Sequence, residues 1–405
     1  LYGVSYPSIE QNRSCRNLYV CDRDGRNPRQ ITHYAKSVSN ARWSADGKSI
    51  RFVQDGQIWV APYRKSMLGK KVKISDVPAG VGEFKVSPDE QMIIYTSTIK
   101  NPGLQSPSDS DPALDKAQAY STEGLMYRHW DHWVTEIPRT YVATLQNGII
   151  TPDNSYDILC CDEPYELPTE PFAGIEAPDS RHIAYSCRKL TGKQYAFSTN
   201  TDIYIHDVLT GETVQVSQGG GYDDSPVWSH DGRHLAWISM ARDGYEADQQ
   251  RIMVCDIEVD QPEEGQSFGL KTGVIRDLTA SLDRDASGIV WTPSDKDIIF
   301  AAMTDGQQAL FKVNSEGQPV ITRLTPEQWH FDFFSPFAVF CEKCRTHQGC
   351  THCGMHHEGE SCDSFTLLTS YYCLNFPTEL VAIKTDGRQA AYSQITQENR
   401  HIFDQ

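Results

Sequence analysis

The chain has 405 residues, beyond the roughly 250–300 at which a single simple core stops growing. Its formal net charge of −17 excludes a nucleic-acid binder, which needs concentrated Lys and Arg, and leaves either simple solubility or an acidic funnel for cationic ligands. No run approaches the ~20 apolar residues of a membrane-spanning helix, so no membrane span is expected.

In chain order, the opening LYGVSYPSIE reads as the second strand of a hairpin. Residues are therefore expected before Leu1, and a signal peptide could be among them. Strands are expected near 1–6 and 17–22, with Asp24-Gly25 as a turn, giving a partial unit over 1–35. Residues 38–75 form a full unit: ARWSADGKSIRFV, QIWVAPY and KVKISD. A third unit starts near Val81 and is broken by an insertion over 100–139. The insertion opens with the Pro/Ser/Asp loop NPGLQSPSDSDP, and the ALDKAQAY that follows favours helix. Strand character resumes at YVATL, 141–145. A long insertion within a regular repeat is more often functional than structural. Its candidate content is Tyr127, Arg128, His129, Trp130, His132 and Trp133, and a small satellite core is the plainer reading.

Residues 150–175 look irregular, and the repeat at Ala177 arrives with almost no strand before it. Regular units follow over 183–216, 222–278 and 286–325. A second insertion, 341–362, is rich in cysteine, and strands resume from Ser364. The end, QENRHIFDQ, has linker or helix-start character and no expected blade partner.

One phrase organises these units. PVWSHDGRHLAWIS, 226–239, is an apolar strand, a Ser-His-Asp-Gly turn and a second apolar strand, a strong hairpin signal. It recurs as ARWSADGKSIRFV, FKVSPDEQMIIYTS, APDSRHIAYS and IVWTPSDKDIIFAA, with Asp46, Asp89, Asp179 and Asp295 read at the turn. Asp46 and Asp89 lie 43 residues apart, and repeats of roughly 40–50 residues built from short strands mark propeller blades. The expected fold is all-β: a propeller of about seven four-stranded blades over 1–394, with a helical and a Cys-rich insertion.

Four constellations bear on chemistry. Cys341, Cys344, Cys350, Cys353 and Cys362 follow C-x2-C-x5-C-x2-C-x8-C, among four histidines. The two C-x2-C pairs can give four thiolates to a structural zinc, and in an oxidising compartment the same residues would form disulfides. The remaining cysteines show no ligand spacing. No G-x-S-x-G elbow or triad is present, so this chain by itself shows no catalytic residue. Gly219-Gly220-Gly221 leads into a strand, not a helix, and is a loop between blades, not a phosphate cradle. Residues 242–248, RDGYEAD, are either a solvated hairpin loop or a ligand loop in which Glu246 or Asp248 holds an ammonium beside Tyr245.

The strings LMYRHWDHWVTE, EPYELPTEPF, SCRK-x-TGK-x-YAFSTNTDIY and RDGYEAD, with the generic blade phrase, resemble the N-terminal propeller of bacterial dipeptidyl-peptidases. These are serine peptidases of the prolyl oligopeptidase family, in its acylaminoacyl-peptidase-like branch. The resemblance covers residues 1–329 and resumes over 364–405. It implies a periplasmic or secreted parent that releases dipeptides from oligopeptide N-termini, with the propeller capping a C-terminal α/β-hydrolase domain and filtering substrates. By resemblance, Arg128, Trp130 and Glu246 grip the peptide amino end, with Tyr245 beside them. The implied partners are oligopeptides, the hydrolase domain and a second copy of the chain in a homodimer. Residues 395–405 are then the linker towards the hydrolase domain. The Cys-rich insertion departs from the family pattern. The alternative is a stand-alone TolB-like propeller that scaffolds other proteins.

Overall fold

The computed structural model describes residues 1–124, 127–129, 131–145, 148–159, 180–190, 193–260, 269–327, 329, 333–341, 364–373, 376–385 and 390–403. They form a seven-bladed β-propeller of antiparallel sheets. Blades 2 and 3 run through Ser39–Trp43, Ser49–Gln54, Gln57–Arg64 and Val72–Lys73, then Phe84–Val86, Met92–Lys100, Glu136–Thr144 and Ser155–Asp157. Blade 4 shows His182–Cys187, Asp202–Asp207 and Thr213–Gln215. Blades 5, 6 and 7 begin at Tyr222–Trp228, Ser287–Trp291 and Phe333–Cys341. Blade 1 has Tyr2–Ser8, Arg13–Val20 and Arg29–Gln30.

The second strands of blades 3, 5 and 6 carry apolar residues on both faces because both are covered. In Asp297–Thr304, Ile298 and Phe300 pack towards blade 5 while Ile299 and Ala301 pack towards blade 7. Ile93 and Tyr95 join blade 2, and Ile94 joins blade 4. Leu235 and Trp237 join blade 4, and Ala236 and Ile238 join blade 6. Each pair of neighbouring blades from 1/2 to 6/7 thus shares its own buried cluster. Strands covered on both sides read as near-continuous apolar runs instead of alternating ones.

The repeated turn has one internal geometry. Ser44 Oγ donates to Asp46 (2.7 Å) and accepts from the Ser49 amide (3.0 Å), while Asp46 accepts from the Lys48 amide (2.9 Å). Ser87 with Asp89 and Ser229 with Asp231 repeat the pattern. The next residue turns left-handed: Gly47, Glu90, Ser180, Gly232 and Asp295 have φ of 65°, 58°, 50°, 71° and 57°. Asp295 therefore belongs one place later than the sequence alignment set it, at the glycine position, and Thr292 and Ser294 stand where Ser44 and Asp46 do. From there it reaches back a blade, accepting from the amides of His230 (2.9 Å) and Asp231 (3.0 Å) and pairing with His230 Nδ1 (2.7 Å). Glu90 likewise accepts from the Ala45 amide and from Arg51 of blade 2, and Ser180 Oγ from the Asp89 amide of blade 3.

A second repeat went unread in the sequence. A Ser or Thr after an apolar residue closes the fourth strand, and its hydroxyl accepts a third-strand amide. The pairs are Leu18–Thr32, Ile58–Ser75, Ile203–Ser217, Ile252–Thr279, Leu310–Thr325 and Leu380–Thr396. The Leu18–Thr32 bond puts Tyr2–Ser8 where second strands lie in the other blades, as its opening phrase predicts.

Three expectations are corrected. The insertion carries little helix: a four-residue helix, Pro107–Ser110, and a 3-10 turn, Pro112–Leu114, lie between the paired strands Leu104–Gln105 and Ser121–Thr122, and a second short hairpin follows. The Ala/Leu/Lys stretch offers no apolar face, and Leu114 and Tyr120 stay exposed, so propensity alone does not sustain a helix there. Strand resumes at Glu136, not Tyr141, because Lys100 pairs directly with Glu136 on a long hairpin arm. Finally, the tail has partners. The Asn399 amide and side chain both donate to Glu379 (3.0 Å each), Tyr2 donates to Glu398 (2.8 Å), and Ile395 lies against Gly25 of blade 1. Among the described residues no buried apolar cluster joins blade 7 to blade 1, and these polar contacts bridge them instead.

Candidate functional site

Antiparallel order sends every second-to-third strand connection to the same end of the propeller and the Ser-x-Asp-Gly turns to the other. The blade 3 insertion and the loops 188–201 of blade 4 and 241–250 of blade 5 all belong to the first end. Arg128 and Glu246, far apart in sequence, are thereby placed at one end. At the opposite end, in blade 7, Cys341 pairs in register with Phe365, and the rest of the Cys-rich stretch, 342–362, lies outside the described residues.

Within the insertion, Asn101 anchors the base, its amide donating to the Thr135 carbonyl (2.9 Å) and its side chain to Val134 (2.7 Å). Beyond it Arg128–His129 pairs with His132–Trp133, setting Arg128 opposite Trp133. Tyr120 and Tyr127 pack on Trp133 at 5.2 Å and 5.9 Å between ring centroids, and all three rings are exposed, as is Arg128. Trp130 lies outside the described residues, as do Cys344, Cys350 and Cys353. No group of metal-ligating side chains occurs among the described residues, and Cys15, Cys21, Cys187, Cys255 and Cys373 are free thiols.

The blade 5 loop is tied down on both flanks of Glu246. Asp248 accepts from the amides of Ala241 and Arg242 (3.0 Å each) and from the Arg242 guanidinium (3.1 Å). The guanidinium hydrogen bond is the main reason the Asp248 carboxyl lies below its ordinary range. Arg242 also stacks on Tyr245, 3.9 Å from its ring centroid. Asp248 is therefore engaged by its own loop. On the other flank Asp243 accepts from Ser198 Oγ, at 2.8 Å to both its oxygens, and from the Thr199 amide (2.6 Å). The Ser198 bond leads in lowering the Asp243 carboxyl. Glu246 is exposed and, among the described residues, has no hydrogen-bond or ionic partner. Sequence reasoning gave Asp243, Ser198 and Thr199 no role. Their only signal was that SCRK-x-TGK-x-YAFSTNTDIY and RDGYEAD, which contain them, are both among the strings that carry the resemblance.

Beneath these loops Asp223 is buried, and burial pushes its carboxyl up despite bonds from Ser239, Ser217 and the Trp237 indole (3.0 Å). Ser217 also bridges to Asp202 (3.2 Å), giving the loops a rigid polar floor.

No family model matches the chain. It is 36% identical over 319 residues, 77% of its length, to dipeptidyl-peptidase 5 of Porphyromonas gingivalis. It is 35% identical over 261 residues, 63% of its length, to dipeptidyl-peptidase 5 of Porphyromonas endodontalis. The chain spans 44% and 37% of those two proteins, less than half of either. Among solved structures, an acylaminoacyl peptidase of Pyrococcus horikoshii superposes over 100% of the chain and 52% of its own, with a TM-score of 0.61 at 14% identity. A prolyl endopeptidase covers 94% of the chain and 46% of its own, with a TM-score of 0.52 at 10% identity. At such identities these structures speak for the fold alone. Fold and relatives together define the class: a β-propeller of a peptidase, of the prolyl oligopeptidase family. Within that class the chain is a homologue of the dipeptidyl-peptidase 5 proteins.

Among the described residues no helix is long and apolar enough to cross a membrane.

Proposed function

We propose that the chain is the non-catalytic propeller of a serine dipeptidyl-peptidase, periplasmic or secreted, that gates an α/β-hydrolase domain and grips the amino end of oligopeptides. The observation that carries this is Glu246: a carboxylate without a partner among the described residues, on a loop fixed at both flanks, at the same end as the insertion bearing Arg128. A fixed carboxylate meeting a peptide ammonium makes a charge-assisted bond that sets the distance from the N-terminus to the scissile bond. Tyr245, stiffened by Arg242, offers an apolar wall beside it, and Trp130 is assigned to the same grip.

The test is the intact mass of the native protein together with labelling by a fluorophosphonate. A mass well above 45.7 kDa with labelling supports the peptidase reading. A mass near 45.7 kDa without labelling overturns it in favour of a stand-alone scaffold. In the full-length protein, Glu246→Gln is expected to lower kcat/KM roughly tenfold or more on free-amine dipeptidyl substrates, from the loss of one charge-assisted bond.

A further inference from the structure

The loop bearing Glu246 is held by its neighbour as much as by its own blade. Asp243 reaches across to the blade 4 loop, where it takes the hydroxyl of Ser198 and the amide of Thr199. Thr199 answers in the other direction, its Oγ1 accepting from the Gly244 amide at 2.9 Å. The clamp is thus reciprocal, spanning residues 45 apart in sequence and two different blades. Its blade 4 side is itself anchored: Asn200 accepts from the Gly221 amide (2.9 Å) and donates to buried Asp202 (3.0 Å). The chain turns left-handed at Gly244 (φ 73°), so the direction of Tyr245 and Glu246 follows from where Asp243 and Gly244 are pinned.

Nothing else among the described residues fixes that side of the loop so closely. The bonds of Asp248 hold its far side and its own Arg242, which keeps that cation engaged and leaves the Glu246 carboxylate unneutralised.

We propose that Asp243 is a positioning residue for Glu246, and that Asp243, Ser198 and Thr199 form an inter-blade clamp setting where the loop presents its carboxylate to a peptide ammonium. This rests on reading Glu246 as the amine ligand. A displacement of about 1 Å at such a contact is enough to lose most of its benefit. The clamp also makes the blade 4 loop, with its short helix Lys193–Phe197, a part of the specificity apparatus without touching the substrate.

The experiment uses the full-length protein and two substrates, a dipeptidyl reporter with a free amine and its N-acetylated counterpart. The readout is the ratio of their kcat/KM values, which a general loss of folded enzyme leaves unchanged. Asp243→Ala is expected to lower that ratio roughly fivefold or more, and Thr199→Val to act the same way from the other side of the clamp. In a Glu246→Gln background neither is expected to lower it further, because the group they position is gone. If Glu246→Gln lowers the ratio while Asp243→Ala and Thr199→Val do not, or if the effects multiply in the double variants, the clamp is not a positioning device. If Glu246→Gln itself leaves the ratio unchanged, the amine-ligand reading falls, and this inference with it.

Discussion

Asp295 provides the sharpest test of how the blades are joined. Its carboxylate takes two backbone amides and an imidazole nitrogen of the preceding blade, and its side chain is only 11% exposed. Bonds to a charged group contribute about 1.5–3 kcal/mol when single, and three sharing one carboxylate are not additive, so their joint worth is about 3 kcal/mol. Asp295 sits at φ 57°, where alanine adds roughly 1 kcal/mol of strain and glycine relieves a similar amount. Asp295→Ala should therefore cost about 4 kcal/mol and Asp295→Gly about 2 kcal/mol, with Asp295→Asn milder than either because it keeps an acceptor. An unfolding entropy of about 2.1 cal/mol/K per residue over 405 residues is about 0.85 kcal/mol/K. The expected falls in Tm are then about 5 °C for alanine and about 2 °C for glycine, read by calorimetry. A glycine variant as stable as the parent would refute the reasoning, since the three bonds together would then be worth only the roughly 1 kcal/mol of strain that glycine relieves.

Blade 4 predicts acid sensitivity in two windows. Burial pushes His206 from 6.5 down to about 4, so the unfolded chain takes up a proton that the folded one refuses. Stability should fall by up to about 3 kcal/mol as pH drops from about 6.5 to about 4, and His206→Gln should flatten that fall in pH-dependent melts. Burial alone would raise Asp207, but its bonds from Arg181, the Leu209 amide and Thr210 bring it from 3.8 to about 2, so a further loss is expected between those values as the carboxylate is protonated. An alanine at Gly25 would sit at φ 80° with its Cβ driven into the Ile395 carbonyl, so Gly25→Ala should lower stability by about 2 kcal/mol and speed tryptic cutting at Arg400; unchanged cutting would mean the tail is not held there. If zinc sits on Cys341, Cys344, Cys350 and Cys353, four thiols should become reactive on chelation, whereas their appearance only after a reductant would replace the metal with disulfides.

The sequence by itself determined the propeller. Its hairpin phrase names Ser and Asp residues that close a turn within four or five positions, and several of its second strands hold runs of adjacent apolar residues because both faces are covered. Both insertions were legible too, as breaks in a regular spacing, and RDGYEAD was singled out from its residues. Local signals carry such features, since each depends on neighbours a few residues away. Only the tertiary structure decided the rest. Asp295 looked like one more turn aspartate until its one-place shift showed it bonded to a turn 64 residues earlier. Asp248 and Glu246 are equal candidates as letters, and they differ only because Arg242 and two amides consume the first. Asp243 and Thr199 meet because antiparallel strands bring the loops of successive blades to one end. Strand direction and blade order, which no local spacing encodes, bring Arg128 and Glu246 to that same end and place Cys341, paired with Phe365, at the other.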